Sequence, residues 1–216
     1  MNYELARHHM IQQQLRTCER MSPETVALLY TDRREHYVPA AYRAIAFTDC
    51  EIPLGHGAAM FTPKLETRIL EVCALKTSDR VLEVGTGSGH LAALLAEIAD
   101  HVWTVEINPA LAEAARRNLE SDRVVNVSVE LGDGLAGLPA QAPFDVIVVS
   151  GGLAEMPAVL KAQLAEGGRL IAIVGSGPVM RLQRLTRIGQ DNFVTEDLME
   201  TSVPMLQQAA KANFSF

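Results

Sequence analysis

Short apolar runs alternate with amphipathic stretches from residue 79 onward. Runs rich in Val, Ile and Leu predict five strands, at 80–84, 102–106, 126–131, 144–149 and 168–174. The stretches between them predict helices at 89–98, 109–120 and 157–165. Strands that alternate with helices form a parallel sheet covered on both faces. After this alternation, residues 180–188 and 193–204 predict two further strands, which form a terminal antiparallel hairpin.

The first third of the chain shows a helical pattern instead. An amphipathic stretch predicts a helix over 3–20, and the cap signals Ser22-Pro23 and Thr62-Pro63 each open another. Between these helices we expect a polar connector over 33–39 and an irregular segment over 47–59.

This difference in pattern predicts how the chain is organised. We expect an N-terminal helical cap and lid over residues 1–78 and a cofactor-binding α/β domain over residues 79–216, joined in one compact unit. Within the connector, the pair Arg33-Arg34 is expected on a solvated face, where a role in holding an acidic substrate stays open.

The charge of the chain argues against several classes of partner. A net charge of −7 and an isoelectric point near 5.4 disfavour a broad nucleic-acid surface or binding to an anionic membrane. The N-terminus lacks the apolar core of a signal peptide, and no run approaches the roughly 20 apolar residues of a membrane span. We therefore expect a cytoplasmic protein with no nucleic-acid partner.

Cysteine and histidine spacing gives no metal signal. Cys18, Cys50 and Cys73 are widely separated and form no C-x-x-C pair, which is typical of a reducing compartment; we expect Cys50 and Cys73 to be buried thiols. The six histidines show no spacing of metal ligands, so we predict no metal site.

A glycine-rich turn follows the first predicted strand. Gly85, Gly87 and Gly89 stand at every second position between that strand and the next helix, where they allow a sharp turn and a close approach to a ligand. The spacing is G-x-G-x-G, and His90 stands where a dinucleotide fingerprint would most often continue toward its third glycine. The absence of a basic residue disfavours a phosphate ligand. The loop therefore favours S-adenosylmethionine, and the terminal hairpin agrees with a Rossmann-like class I methyltransferase fold.

Polar groups at the carboxyl ends of the predicted strands complete a candidate cofactor site. Glu106 is placed to accept both ribose hydroxyls of an adenosine, and Asp133 to accept its amino group, although Asp133 also fits a simple Asp-Gly turn. Glu83 can orient backbone groups or meet the cationic amino end of the cofactor. The predicted cofactor-binding residues are Glu83, Gly85, Thr86, Gly87, Ser88, Gly89, His90, Glu106, Ile107, Asp133 and Gly134.

Several segments together resemble the protein-L-isoaspartate O-methyltransferase family. They include Met10-Ile11-Gln12-Gln13-Gln14-Leu15, Arg34-Glu35-His36-Tyr37-Val38-Pro39, the stretch 46–57, the glycine loop, Gly132-Asp133-Gly134, the strand 142–149 and Ser202-Val203-Pro204. The resemblance implies transfer of a methyl group from S-adenosylmethionine to an isoaspartyl carboxylate in a protein or peptide.

The chain departs from the family pattern at one important place. The family typically has Gln-Thr-Ile-Ser-x-Pro, whose serine is considered catalytic, whereas residues 58–63 here are Ala-Ala-Met-Phe-Thr-Pro. Phe61 therefore occupies the serine position, and no catalytic residue is predicted. Two alternatives follow: a methyltransferase with another acceptor, including a small molecule, and a non-catalytic protein that binds the cofactor. The sequence does not predict the oligomeric state.

Overall fold

A computed structural model of the protein describes residues 2–17 and 21–208. Helix α1 (Tyr3–His9) continues as a π-helix over Met10–Leu15, so the predicted helix over 3–20 changes its hydrogen-bond pattern midway. Residues 18–20, in which that prediction ends, lie outside the described residues. Helix α2 (Pro23–Thr31) begins where predicted, because the Ser22 hydroxyl accepts a hydrogen bond from the Thr25 amide.

The prediction of a solvated face for the pair Arg33-Arg34, within the polar connector over 33–39, is wrong for Arg34. This segment contains a short helix, α3 (Arg34–Tyr37), and Arg34 is only 1% exposed. Arg34 is buried because the carboxylate of Glu66, 32 residues further along the chain, compensates its charge. Only Arg33 of the pair matches the expected solvated side chain, with 58% of it exposed.

The segment 47–59 is more regular than predicted. A 3₁₀-helix over Ala40–Ile45 precedes it, and within it β1 (Ile52–Gly55) pairs in antiparallel fashion with β2 (Ala58–Met60). All three turn residues of this hairpin, Gly55, His56 and Gly57, have positive φ. The N-terminal cap therefore consists of helices and one hairpin rather than helices alone. Cys50 beside the hairpin is half-buried, not fully buried as predicted.

Helix α4 (Pro63–Cys73) follows the hairpin directly. The Thr62 hydroxyl caps it by accepting from the Leu65 amide at 3.2 Å. Leu65, Ile69, Leu70 and Cys73 are buried, as its amphipathic pattern predicts. Burial raises the pKa of the Cys73 thiol to about 12, so this thiol stays protonated at neutral pH.

Seven strands form the central sheet. In chain order they are β3 (Arg80–Val84), β4 (His101–Glu106), β5 (Val127–Leu131), β6 (Phe144–Leu153), β7 (Leu164–Ser176), β8 (Val179–Arg187) and β9 (Phe193–Thr201). Their order across the sheet is β5-β4-β3-β6-β7-β8-β9. The pairs among β3 to β7 are parallel, whereas β8 and β9 add in antiparallel fashion. The predicted parallel sheet with a terminal hairpin is confirmed.

Three helices connect the parallel strands: α5 (His90–Ala96), α6 (Pro109–Ser121) and α7 (Ala158–Ala162). The Asn108 side chain caps α6 by accepting from the Ala110 and Leu111 amides. Helix α7 is shorter than the predicted 157–165, because β7 already begins at Leu164. No helix in the described ranges is long and apolar enough to cross a membrane.

The core has a part on each face of the sheet and a third part under the cap. Along β3, Val81 packs with α4 and α5 on one face, while Leu82 packs with α7 on the other. The third cluster joins the π-helix to the hairpin strand β1 and to α6. The cap is thereby held against the edge of the sheet where the candidate site lies.

Candidate functional site

An open cavity lies at the carboxyl ends of β3 and β4. It sits beside the point where strand order reverses between β3 and β6, which is where open α/β sheets bind ligands. Its walls come from the glycine loop, the ends of β4 and β6, the β1–β2 hairpin with the start of α4, and residues 204–207.

The glycine loop after β3 turns through left-handed backbone conformations. The φ angles of Gly85, Gly87 and Gly89 are 96°, 54° and 85°. A Cβ atom at Gly85 would lie 2.9 Å from the Leu206 side chain and 3.2 Å from the Ser150 carbonyl oxygen. Glycine is required at this position both by its φ and by its neighbours, and Gly85 lines the cavity.

Glu106 closes β4 and points its carboxylate at the loop. Its Oε2 accepts from the Gly87 amide at 2.9 Å, and its Oε1 accepts from the Asn108 amide at 3.0 Å. Two backbone donors fix the side chain, which lines the cavity and is 6% exposed. Each oxygen has a further lone pair, so a fixed acceptor is available to a ligand in the cavity.

Glu83 lies at the floor of the cavity and is fully buried. Thr104 donates to its Oε2 at 2.7 Å and Ser150 donates to its Oε1 at 2.9 Å. Burial raises the pKa of Glu83 to about 8, although these two hydrogen bonds act in the opposite direction. The carboxyl is therefore largely protonated at neutral pH and has a hydroxyl on each oxygen.

Most of the predicted cofactor-binding residues line the cavity: Glu83, Gly85, Thr86, Gly87, Ser88, Glu106, Ile107 and Gly134. Three others do not. Gly89 packs against Ala115 and Leu119 of α6. Asp133 accepts from the Leu135 amide at 3.0 Å and opens a short 3₁₀ turn, which fits the Asp-Gly turn considered as its alternative role. His90 points away from the cavity into a buried network.

This network links three elements of the cap to the start of α5. His90 Nε2 lies 3.0 Å from Asp32 Oδ1, and its Nδ1 lies 3.0 Å from Glu66 Oε2. Arg34 also donates from Nη1 to the same Glu66 oxygen. Burial alone would lower the pKa of His90, but the carboxylates of Glu66 and Asp32 raise it to about 9, so the ring is charged at neutral pH. Two cations are thus matched by two carboxylates.

Arg34 also holds the hairpin side of the cavity. Its guanidinium donates to the carbonyl oxygens of Ala46 at 2.8 Å and Phe61 at 2.6 Å. The Phe61 side chain packs into the core below and is 6% exposed, while the residue contributes to the cavity wall with Ala58, Ala59 and Met60. One buried cation therefore sets the position of this wall.

The C-terminal segment 204–207 closes the cavity from the opposite side. The Leu206 amide donates to the Gly152 carbonyl at 2.8 Å, and the Gly152 amide donates to the Pro204 carbonyl at 2.9 Å. The Gln207 side chain donates to the His56 carbonyl in the hairpin turn. The segment is thus fastened to both β6 and the hairpin.

Glu66, Glu83 and Glu106 line the cavity, and no lysine, arginine or histidine does so in the part of the chain described. Glu83 is largely neutral, and Arg34 and His90 compensate the charge of Glu66. Glu106 is therefore the carboxylate through which the wall favours a positively charged ligand. Across residues 2–17 and 21–208, no group of histidine, cysteine and carboxylate side chains is arranged to hold a metal ion.

Comparison with known proteins agrees with this geometry. The model of the protein-L-isoaspartate(D-aspartate) O-methyltransferase family matches residues 6–210. Protein-L-isoaspartate O-methyltransferase 1 of Rhodopseudomonas palustris is 38% identical over 207 residues, covering 95% of this chain and 84% of that protein. The enzyme of Methylorubrum populi is 42% identical over 180 residues, covering 83% of this chain and 84% of that protein.

Solved structures show the same fold. A putative protein-L-isoaspartate O-methyltransferase from Plasmodium falciparum, in complex with S-adenosyl-L-homocysteine, superposes with a TM-score of 0.80 at 19% identity. The match covers 97% of this chain and all of that one. A second protein-L-isoaspartate O-methyltransferase gives a TM-score of 0.78 at 25% identity over 94% of this chain and 65% of that one.

Proposed function

The chain belongs to the protein-L-isoaspartate(D-aspartate) O-methyltransferase family, and from this premise we propose that it transfers a methyl group from S-adenosylmethionine to the free carboxylate of an isoaspartyl residue. The observation that carries the proposal is the family match over residues 6–210, which spans the cap, the glycine loop and the segment that closes the cavity. The acceptor is a protein or peptide that contains the damaged residue.

The residues that line the cavity suit S-adenosylmethionine. Gly85 and Gly87 leave the loop backbone open to the ligand, and the Glu106 carboxylate would hold the ribose hydroxyls. Ile107, Leu111 and Gly134 also line the cavity and would surround the base. The Glu106 carboxylate also suits a cofactor with a positively charged sulfur.

The protein needs to supply little acid–base chemistry for this reaction. Bound S-adenosylmethionine supplies a methyl group on a sulfonium. A carboxylate oxygen of the acceptor forms the new C–O bond while the C–S bond breaks and its electron pair stays on sulfur. The free carboxylate of an isoaspartyl residue is already ionised at neutral pH, so no general base is needed. The chain must align the acceptor carboxylate with the methyl group and exclude water from the site.

A second candidate is a methyltransferase with a different acceptor, and the cavity wall favours it at one position. Phe61 stands at the family's serine position beside two alanines, and no cation in the described residues lines the cavity. A bound carboxylate acceptor would therefore lack the hydroxyl donor that the family has at this position and would meet no cation. A missing hydrogen bond to a charged group costs about 1.5–3 kcal/mol.

Phe61→Ser tests the choice between these acceptors. We expect the wild type to methylate an isoaspartyl peptide slowly while binding cofactor normally, and Phe61→Ser to recover part of the rate, because a hydroxyl replaces the ring. The triple variant Ala58→Gln/Ala59→Thr/Phe61→Ser should recover more. The measurement is the initial rate of methyl transfer to an isoaspartyl peptide.

The control for this series is Thr62→Ala, which removes the neighbouring hydroxyl. The Thr62 hydroxyl caps α4, so its loss is expected to affect stability more than rate. If the wild-type rate of methyl transfer is high and only Thr62→Ala abolishes it, the hydroxyl that contacts the acceptor would belong to Thr62. Absence of turnover in every variant, with cofactor still bound, would favour the second candidate.

The segment 45–63 is expected to act as a lid over the transferred methyl group. It carries the hairpin β1–β2, and Gln207 and Arg34 fasten it at its turn and at Phe61. A ligand that contacts this wall should slow its local opening. Hydrogen exchange in residues 45–63 should therefore slow on adding S-adenosylhomocysteine. Protection confined to the glycine loop would contradict the lid.

We also propose that the protein works in the cytoplasm. The thiols of Cys50 and Cys73 are free, which suits a reducing compartment. The net charge of −7 supports a protein or peptide partner rather than nucleic acid.

A further inference from the structure

The guanidinium of Arg34 contacts three different parts of the chain. Its Nε donates to the Ala46 carbonyl oxygen at 2.8 Å, its Nη2 donates to the Phe61 carbonyl oxygen at 2.6 Å, and its Nη1 donates to Glu66. The two carbonyls lie at the two ends of the segment 46–61, which carries the β1–β2 hairpin and is called here the 46–61 loop. Because Arg34 is buried, no solvent replaces a lost carbonyl partner, and the base of this loop is costly to open.

The 46–61 loop is buried at its ends and exposed at its tip. Ala46 and Phe61 are buried, whereas the three residues of the hairpin turn, 55–57, are exposed. At the tip, the Gln207 side chain donates to one carbonyl of that turn. The base is therefore the fixed end of the loop.

The same loop contributes one wall of the cavity. Four consecutive residues at its end line the cavity: Ala58, Ala59, Met60 and Phe61. Phe61 stands at the position of the family's serine, so an acceptor would contact this wall under the proposed function. Catalysis by alignment depends on such a wall, because a misplacement of about 1 Å can lower a rate about 100-fold.

We propose that Arg34 is a positioning residue for methyl transfer, which holds the base of the 46–61 loop and thereby fixes its wall against the acceptor; the inference rests on the proposed function. Arg34 does not line the cavity, so it acts through the Phe61 carbonyl and not by contact with a ligand. Its partner oxygen, Glu66 Oε2, lies 3.0 Å from His90 Nδ1 at the start of α5, directly after the glycine loop. The same guanidinium thus relates the position of the wall to that of the cofactor site.

Arg34→Lys tests this role while keeping the positive charge. Lysine has one side-chain nitrogen atom in place of three, so it can pair with Glu66 but cannot reproduce the fork that bonds both carbonyls. In the complex with S-adenosylhomocysteine, amide exchange in residues 52–60 should become about tenfold or more faster, while exchange in β3 and β6 stays unchanged. KM for the isoaspartyl peptide should rise about tenfold or more, because the wall is no longer held. The dissociation constant of S-adenosylhomocysteine should change little.

Two control variants separate this contact from its surroundings. Asp32→Asn alters the network at His90 Nε2, which lies 3.0 Å from Asp32 Oδ1, but leaves both carbonyl contacts of Arg34 in place. We expect Asp32→Asn to lower thermal stability while exchange in residues 52–60 and KM stay as in the wild type. Arg33→Lys makes the same substitution at an exposed neighbour and should leave the exchange unchanged.

Several results would overturn the proposal. Unchanged exchange in residues 52–60 of Arg34→Lys would do so, as would faster exchange with an unchanged KM for the peptide. A role in stability alone would speed exchange throughout the sheet and lower kcat through the amount of folded enzyme, with no change in KM. If Arg34→Lys fails to fold, the wild type decides by nuclear magnetic resonance: the Arg34 Nε proton should exchange slowly, and fast exchange would overturn the proposal.

Failure of the proposed function would look different. The wild type would then neither bind nor methylate the isoaspartyl peptide, whereas amide exchange in Arg34→Lys would still show whether Arg34 holds the base of the 46–61 loop.

Discussion

Arg34→Met should lower the free energy of unfolding by about 3–5 kcal/mol, the usual cost of removing one partner from a buried ion pair. Arg34 is 1% exposed, and its loss leaves Glu66 buried with His90 as its remaining cationic partner. It also leaves the carbonyl oxygens of Ala46 and Phe61 without their donor. Urea denaturation of the variant and the wild type measures the difference.

The neighbouring residue provides a matched control. Arg33 is 58% exposed and pairs with Asp122 at 3.3 Å, so Arg33→Met should change stability by less than about 1 kcal/mol. Equal losses in the two variants would mean that the buried network does not hold the cap against the sheet.

Glu106→Ala should weaken S-adenosylhomocysteine binding by about 2–4 kcal/mol, or roughly 30- to 1,000-fold. The substitution removes the acceptor proposed for both ribose hydroxyls. It also frees the Gly87 amide, which Glu106 holds at 2.9 Å, so the glycine loop loses one of its constraints. Calorimetric titration measures the change.

Asp133→Ala is the matched control for Glu106→Ala. Asp133 does not line the cavity, and its side chain already accepts from the Leu135 amide at 3.0 Å. We expect a much smaller loss of affinity, limited to the cost of a weakened turn. Equal and negligible effects from Glu106→Ala and Asp133→Ala would mean that the cofactor binds elsewhere.

The central strands β3 and β6 could be predicted from the sequence because they are apolar on both faces. Runs such as Val81-Leu82 or 144–149 are buried, and their local apolar pattern is enough to predict a buried strand. The prediction failed at Arg34 because its charge is compensated by Glu66, 32 positions further along the chain. Nothing in the run 33–36 distinguishes the buried arginine from its exposed neighbour.

The candidate site was predictable where it depends on one strand and its turn. The glycine loop and Glu106 follow buried strands directly, and parallel strands bring such ends together. Glu66 was missed because it lies within an ordinary amphipathic helix, and its partners Arg34 and His90 come from distant parts of the chain. The wall formed by residues 204–207 was missed because its contacts with Gly152 and His56 join distant parts of the chain.

The most direct test of the central proposal is the transfer of labelled methyl from S-adenosylmethionine to an isoaspartyl peptide, with the normal aspartyl peptide of the same sequence as its control. The wild type is expected to label only the isoaspartyl peptide, at a rate that Phe61 keeps low. Mass spectrometry should place the methyl group on the isoaspartyl carboxyl as an ester that mild alkali removes. Equal labelling of both peptides, an alkali-stable product, or no label on either peptide despite bound cofactor would contradict isoaspartyl methylation.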